Sequence, residues 1–204
     1  MSLLHDHLLL ERVADGVHVR LTDRTWWGHD AQFGGYVEAL AIVAMRAELD
    51  APEMTPVTTS IQFFRPFLDG ELRVEVEVLR RGRTMANAHA RLFSQGRLAG
   101  QATASFGVRR ARAEFVAAQP PRELHDAPLA PEEPDTPSRL GVPTHAHFQF
   151  FPRIGDFRIG SGSAGVVGGW VRPRFATPVD EALLVILQDL WLPAAYHHWR
   201  EPTV

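Results

Sequence analysis

The chain contains no cysteine. That removes disulfides, a thiol nucleophile and any thiolate zinc site. Charge of one sign is not in excess either: 21 Lys and Arg stand against 24 Asp and Glu over 204 residues, a net charge of −3. Nucleic-acid binders carry a strongly basic face, so no nucleic-acid partner is expected. No apolar run approaches the roughly 20 residues of a membrane span. The N-terminus, MSLLHDHLLLERVADG, lacks the basic start and long apolar core of a secretory signal. These absences point to a cytoplasmic chain. The histidine pairs His5/His7, His145/His147 and His197/His198 have no third ligand at a familiar spacing, so no metal site is expected. GSGSAGVVGG (160–169) is glycine-rich but has neither the lysine of a phosphate-binding loop nor the G-x-G-x-x-G spacing. It reads as a hairpin loop, and no cofactor is called for.

What is present is a clear alternation of patterns. GVHVRLTDRTWWG (16–28) opens with the strand-like alternation of Val17, Val19 and Leu21. GGYVEALAIVAMRAELDAP (34–52) reads as a helix with glycines at its start, a nearly all-apolar middle and a proline beyond its end. PVTTSIQFFRPF (56–67) is rich in β-formers. Leu72, Val74, Val76 and Val78 then alternate with Arg73, Glu75, Glu77 and Leu79, the pattern of a half-buried strand, and two more strands follow around a turn at Gly96. Strand, helix and four strands describe an α+β unit with one helix packed on an antiparallel sheet. Residues 111–143, full of proline and charge, read as a linker. Beyond it come two further strands and a second helix over 179–192.

The two helices repeat one another. VEALAIVAM (37–45) aligns with DEALLVILQ (180–188) without a gap, and each is followed by a Pro-Thr- or Thr-Pro-containing strand start. The domains expected are thus a first repeat over 1–110, the linker over 111–143, and over 144–204 a second repeat cut short where its sheet should begin. A helix apolar on all sides is buried on all sides, so a sheet must wrap it. Asp189 shares a stripe with Ala182, Val185, Ile186 and Leu192. On that stripe it sits among apolar groups, where an unpaired carboxylate is costly and its pKa rises. The same position also fits an aspartate near a helix end that meets solvent or nearby backbone.

FGGYVEALAIVA, FFRP, LRRGRTMANAHARLF, ASF and LLVILQDLWLPA together resemble the type II (TesB-like) acyl-CoA thioesterases, which are tandem double hot-dog proteins. The resemblance implies an α+β hot-dog fold, an acyl-CoA substrate, and hydrolysis by a water held between a helix aspartate, a threonine and a glutamine. The aspartate falls on Asp189 and the threonine on Thr203; the glutamine has no counterpart here. In that frame Asp189 is the general base. Gly34 and Gly35 offer free amides at a helix start, suited to the thioester oxygen as an oxyanion hole, or they merely let the helix pack tightly. Arg80, Arg81 and Arg83 are candidates for the CoA phosphates, or a solvated hairpin tip. Trp27 and Phe33, with Trp26, line the acyl tunnel or belong to the core. Two alternatives stay open: a non-catalytic acyl-CoA-binding or assembly protein, and a hot-dog hydratase using His29. Sheet edges and an uncovered second helix predict a homo-oligomer.

Overall fold

The computed structural model describes residues 3–109, 117–125, 141–155, 158–160, 162, 165–191 and 193–198. Its elements are α1 (Leu3–Leu8), β1 (Glu11–Ala14), β2 (Val17–Thr22), α2 (Gly34–Leu49), β3 (Met54–Phe63), β4 (Gly70–Arg81), β5 (Met85–Ser94), β6 (Arg97–Val108), β7 (Phe148–Ile154), β8 (Gly168–Pro173) and α3 (Glu181–Gln188). Short 3₁₀ turns at Arg24–Trp26, Arg122–Leu124, Pro143–His147 and Ala194–His197 join them. Two compact units result. One comprises Met1–Arg112 and Phe175–Asp189; the other comprises Ala113–Arg174 and Leu190–Val204. Of the expected linker over 111–143, only 117–125 and 141–143 are described.

In the first unit, α2 is the core. Val37, Ala39, Leu40, Ala41, Ala44 and Met45 have no exposed surface. They face several directions around a helix of 3.6 residues per turn, so one flat contact would not cover them. A six-stranded antiparallel sheet in the order β1-β2-β4-β5-β6-β3 supplies the cover. Its helix-facing residues are small on two strands: Ala86, Ala88 and Ala90 on β5, Ala102 and Ala104 on β6. Leu72 and Val74 of β4, Leu92 and Phe106 fill the remaining space. This is the α+β hot-dog arrangement, a sheet curled around a central helix. Asp50 ends α2 in the left-handed region, φ 44°.

One strand departs from the apolar alternation. On β2 the side turned inward is His18 and Thr22, both buried, while Leu21 is 79% exposed. Arg20 on the same side donates from Nε to the Tyr36 hydroxyl at 2.9 Å. The strand is where the Val17–Leu21 pattern predicts it, but it buries its polar face, because each polar group there finds a partner. Tyr36 donates in turn to the His7 carbonyl oxygen at 3.0 Å and stacks on Trp26 at 5.1 Å, which fastens α1 to the core.

In the second unit, β7 and β8 form an antiparallel pair from Phe148↔Pro173 to Ile154↔Gly168, joined across the glycine-rich stretch. Phe148, Phe150 and Phe151 are buried, and Trp191 meets Phe150 edge-on at 6.0 Å. Gly169 is needed here: a Cβ on it would lie 2.3 Å from the Phe151 carbonyl oxygen.

The second helix is shorter than the 179–192 expected. It starts at Asp180, whose side chain caps the Leu183 amide at 2.9 Å, and ends after Gln188. Asp189 is therefore the residue that closes the helix, not one within it. Of its expected stripe, Ala182, Val185 and Ile186 are buried; Leu192 lies outside the described residues. No helix among the described residues is long and apolar enough to cross a membrane.

Candidate active site

Glycine is what brings α3 against the start of α2. A Cβ on Gly35 would lie 2.8 Å from the Val185 carbonyl oxygen and 2.9 Å from Ile186 Cα. Both are backbone atoms that cannot step aside, so the approach exists only because position 35 has no side chain. The helices run antiparallel: Gly35 lies at the end of α3, and Arg46, near the other end of α2, reaches Glu181 at 3.4 Å.

This approach delivers Asp189 to the N-terminus of α2. Its Oδ2 accepts the Gly35 N–H at 2.9 Å. The first amides of a helix have no intrahelical acceptor and carry partial positive charge, so a carboxylate is a natural partner. Asp189 also sits at the C-terminal end of its own helix, where the dipole disfavours a negative charge. The residue as a whole is exposed, not enclosed as the apolar stripe predicts. Its carboxylate is nonetheless crowded by the glycine turn. Loss of hydration there pushes its pKa above the ordinary aspartate range, and the Gly35 hydrogen bond pulls the other way. Oδ1 accepts no hydrogen bond among the described residues. One oxygen is thus held in place and the other is uncommitted among the described residues.

Gly34 precedes this contact. A Cβ there would meet Asp189 Oδ2 at 2.9 Å and the Phe63 ring at 3.4 Å. Phe63 closes β3 with 49% of its surface exposed and packs edge-on against Phe67 at 6.1 Å. It is the aromatic beside Asp189, and the reading of individual residues passed over it, although it opens the FFRP motif. Phe33 is buried at the position preceding α2, its amide bound to the Trp26 carbonyl oxygen at 2.7 Å. Trp27 is half-buried, donates to Asp69 at 2.5 Å and lies beneath the Arg24 guanidinium; its neighbour Trp26 is the core residue.

Asp189, Gly34 and Gly35 are brought together; the arginines are not with them. Arg80 and Arg81 end β4 and Arg83 lies in the following turn. Arg81 donates to the Glu48 carbonyl oxygen at 3.2 Å. Glu48 is 13 residues from Gly35, about 20 Å along a helix rising about 1.5 Å per residue. Thr203 lies outside the described residues. Among those described, no three His, Asp or Glu side chains converge as a metal site.

Residues 23–107 match the acyl-CoA thioesterase N-terminal domain family. No curated protein matches the chain by sequence. Among solved structures, a hot-dog protein of unknown function from Alicyclobacillus acidocaldarius superposes with a TM-score of 0.78 at 20% identity, covering 97% of this chain and 72% of that one. A thioesterase II candidate from Thermobifida fusca gives 0.77 at 20% identity, covering 98% and 76%. Acyl-CoA thioesterase II TesB2 from Mycobacterium marinum gives 0.63 at 18% identity, covering 92% and 66%. At these identities the structures establish the fold. The resemblance drawn from the sequence agrees with the acyl-CoA thioesterase match over residues 23–107 and with the hot-dog fold.

Proposed function

We propose, from the premise that residues 23–107 match the acyl-CoA thioesterase N-terminal domain on a hot-dog fold, that this chain hydrolyses acyl-CoA thioesters with Asp189 as the base. The observation that carries the reading is the Asp189 carboxylate fixed on the Gly35 amide. With Oδ2 held, Oδ1 takes a proton from water as the oxygen of that water attacks the thioester carbonyl. A base with a raised pKa accepts that proton more readily than an ordinary carboxylate. The Gly35 N–H is committed to Asp189, so in this reading the developing oxyanion falls to the Gly34 N–H beside it. Collapse of the tetrahedral intermediate breaks the C–S bond, the proton held on Asp189 passes to the departing sulfur, and the CoA thiol and the carboxylic acid are released.

Phe63 and Phe33 flank this point and are assigned to the apolar part of the acyl group, with Trp27 at its margin. The phosphates of CoA lie far from its thioester, so the cationic tip of Arg80, Arg81 and Arg83, an α2-length away, is assigned to them. The test is hydrolysis of an acyl-CoA series followed by thiol release in wild type and Asp189→Asn. Near-complete loss in the variant supports the base; equal rates remove it. Calorimetric binding of acyl-CoA without turnover by wild type would favour the non-catalytic alternative.

A further inference from the structure

The opposite end of α2 holds a second, separate feature. A cavity of about 720 Å³ lies between α1, the C-terminal half of α2 and the segment entering α3. That volume is in the range of small-molecule sites, about 300–1,000 Å³. Leu4, Leu8, Ile42, Val43 and Ala47 make its wall mostly apolar. None of the residues proposed above for hydrolysis lines it.

One buried polar side chain does. His18 lines the cavity and is only 3% exposed. Its Nε2 lies 2.8 Å from Glu48 Oε1. Glu48 is ionised at neutral pH, its pKa held down at about 2 first by the hydrogen bond from Arg12. A carboxylate only accepts, so Nε2 carries the proton and donates. In its neutral form the ring has its acceptor at Nδ1, and Nδ1 takes no hydrogen bond among the described residues. An apolar cavity lined by a buried histidine, held through one ring nitrogen and with the other unused, has the composition of a ligand site, not of a packed core.

The charges at the wall say which ligand. Arg12 is matched by Glu48 at 2.7 Å and Asp15 at 3.1 Å, and Arg46 by Glu181 at 3.4 Å. Asp180 spends its carboxylate on the cap of α3. An anion would find no unmatched cation, and a cation would have to break a pair. We infer that this cavity binds a neutral amphipathic molecule, an aliphatic chain carrying one hydroxyl, whose O–H donates to His18 Nδ1.

The experiment is a titration of the intact protein, with ¹⁵N-labelled histidine, using 1-octanol and 1-methoxyheptane. The two have equal numbers of heavy atoms, but the ether has no donor. The expected result is saturable octanol binding that moves the His18 Nδ1 resonance, with roughly tenfold weaker binding of the ether, the worth of about one hydrogen bond. Val43→Trp, which fills the cavity from α2, should abolish octanol binding; if that variant does not fold, the octanol–ether comparison decides alone. Equal affinities for the two probes, an unmoved His18, undiminished binding in a folded Val43→Trp, or tighter binding of octanoate than of octanol would each overturn the assignment. No readout uses hydrolysis, so the outcome is independent of the role given to Asp189.

Discussion

The two ends of α2 each hold a carboxylate, and the two are treated in opposite ways. At the C-terminal end, Glu48 is embraced by Arg12 and His18, and its pKa falls to about 2. At the N-terminal end, Asp189 has one amide partner and no cation among the described residues, and desolvation carries its pKa upward. A carboxylate with several partners is a clasp; it fixes β1 and β2 to the helix and has no proton to exchange near neutrality. A carboxylate with one partner and one open oxygen is under-satisfied, and under-satisfied groups are where proton chemistry is placed. The helix separates the two by about 20 Å at about 1.5 Å per residue, so each can be altered without touching the other.

The largest expected effect is at Asp189. Replacement by Asn preserves the shape and the acceptor for Gly35 but removes the base. Thioester hydrolysis should fall about 10²–10⁴-fold, the usual worth of a positioned base, with the circular dichroism spectrum unchanged. Stability should hold or rise slightly at neutral pH. The sign follows from the raised pKa: an acid harder to ionise when folded favours the fold while protonated, and that contribution is lost as pH rises through the folded pKa.

Glu48→Gln should show the reverse. Hydrolysis continues, but Arg12 and His18 lose their charged partner, at a cost of roughly 1–3 kcal/mol in denaturant unfolding at neutral pH. The lowered pKa sets the pH window. The contribution of Glu48 is fully present above its ordinary value of 4.5 and is lost as pH falls toward about 2. The wild type should therefore lose more stability than the variant across that window.

The paired glycines sharpen the contrast within the N-terminal end. Gly35→Ala sets a methyl against the backbone of α3 and should destabilise by roughly 1–3 kcal/mol, as overpacking does. Gly34→Ala meets mainly the Asp189 side chain and the Phe63 ring, which can shift. It should cost less stability and more activity, read by thermal unfolding beside kcat. The smallest effect is expected at Arg80 and Arg83. Alanine there should raise KM for acyl-CoA a few-fold and leave kcat unchanged, with the difference shrinking as salt is added.

The sheet around α2 was legible in the sequence because its chemistry is one-sided. Ala86, Ala88, Ala90 and Leu92 alternate with polar residues, and only one face is buried. β2 shows where alternation misleads. Its valines suggest the inner face, yet His18 and Arg20 take that place through Glu48 and Tyr36, partners distant in sequence that no local pattern reveals. The six residues of α1 are too few to show a helical period. Adjacent Trp26 and Trp27 are indistinguishable as letters; only stacking on Tyr36 separates the buried one. At the site, Asp189 and the glycines stood out as a charge in an oily run and a doubled small residue. That one binds the other was not legible, because the contact joins positions 154 residues apart. Nor was the early end of α3, which turns Asp189 outward.

The most direct test is the pH profile of kcat/KM for acyl-CoA hydrolysis in wild type and Asp189→Asn. If Asp189 is the base, wild-type activity rises with pH through an apparent pKa above that of an ordinary aspartate and then levels, and the variant loses both this limb and the rate. A variant that keeps the same limb and the same rate would contradict the account.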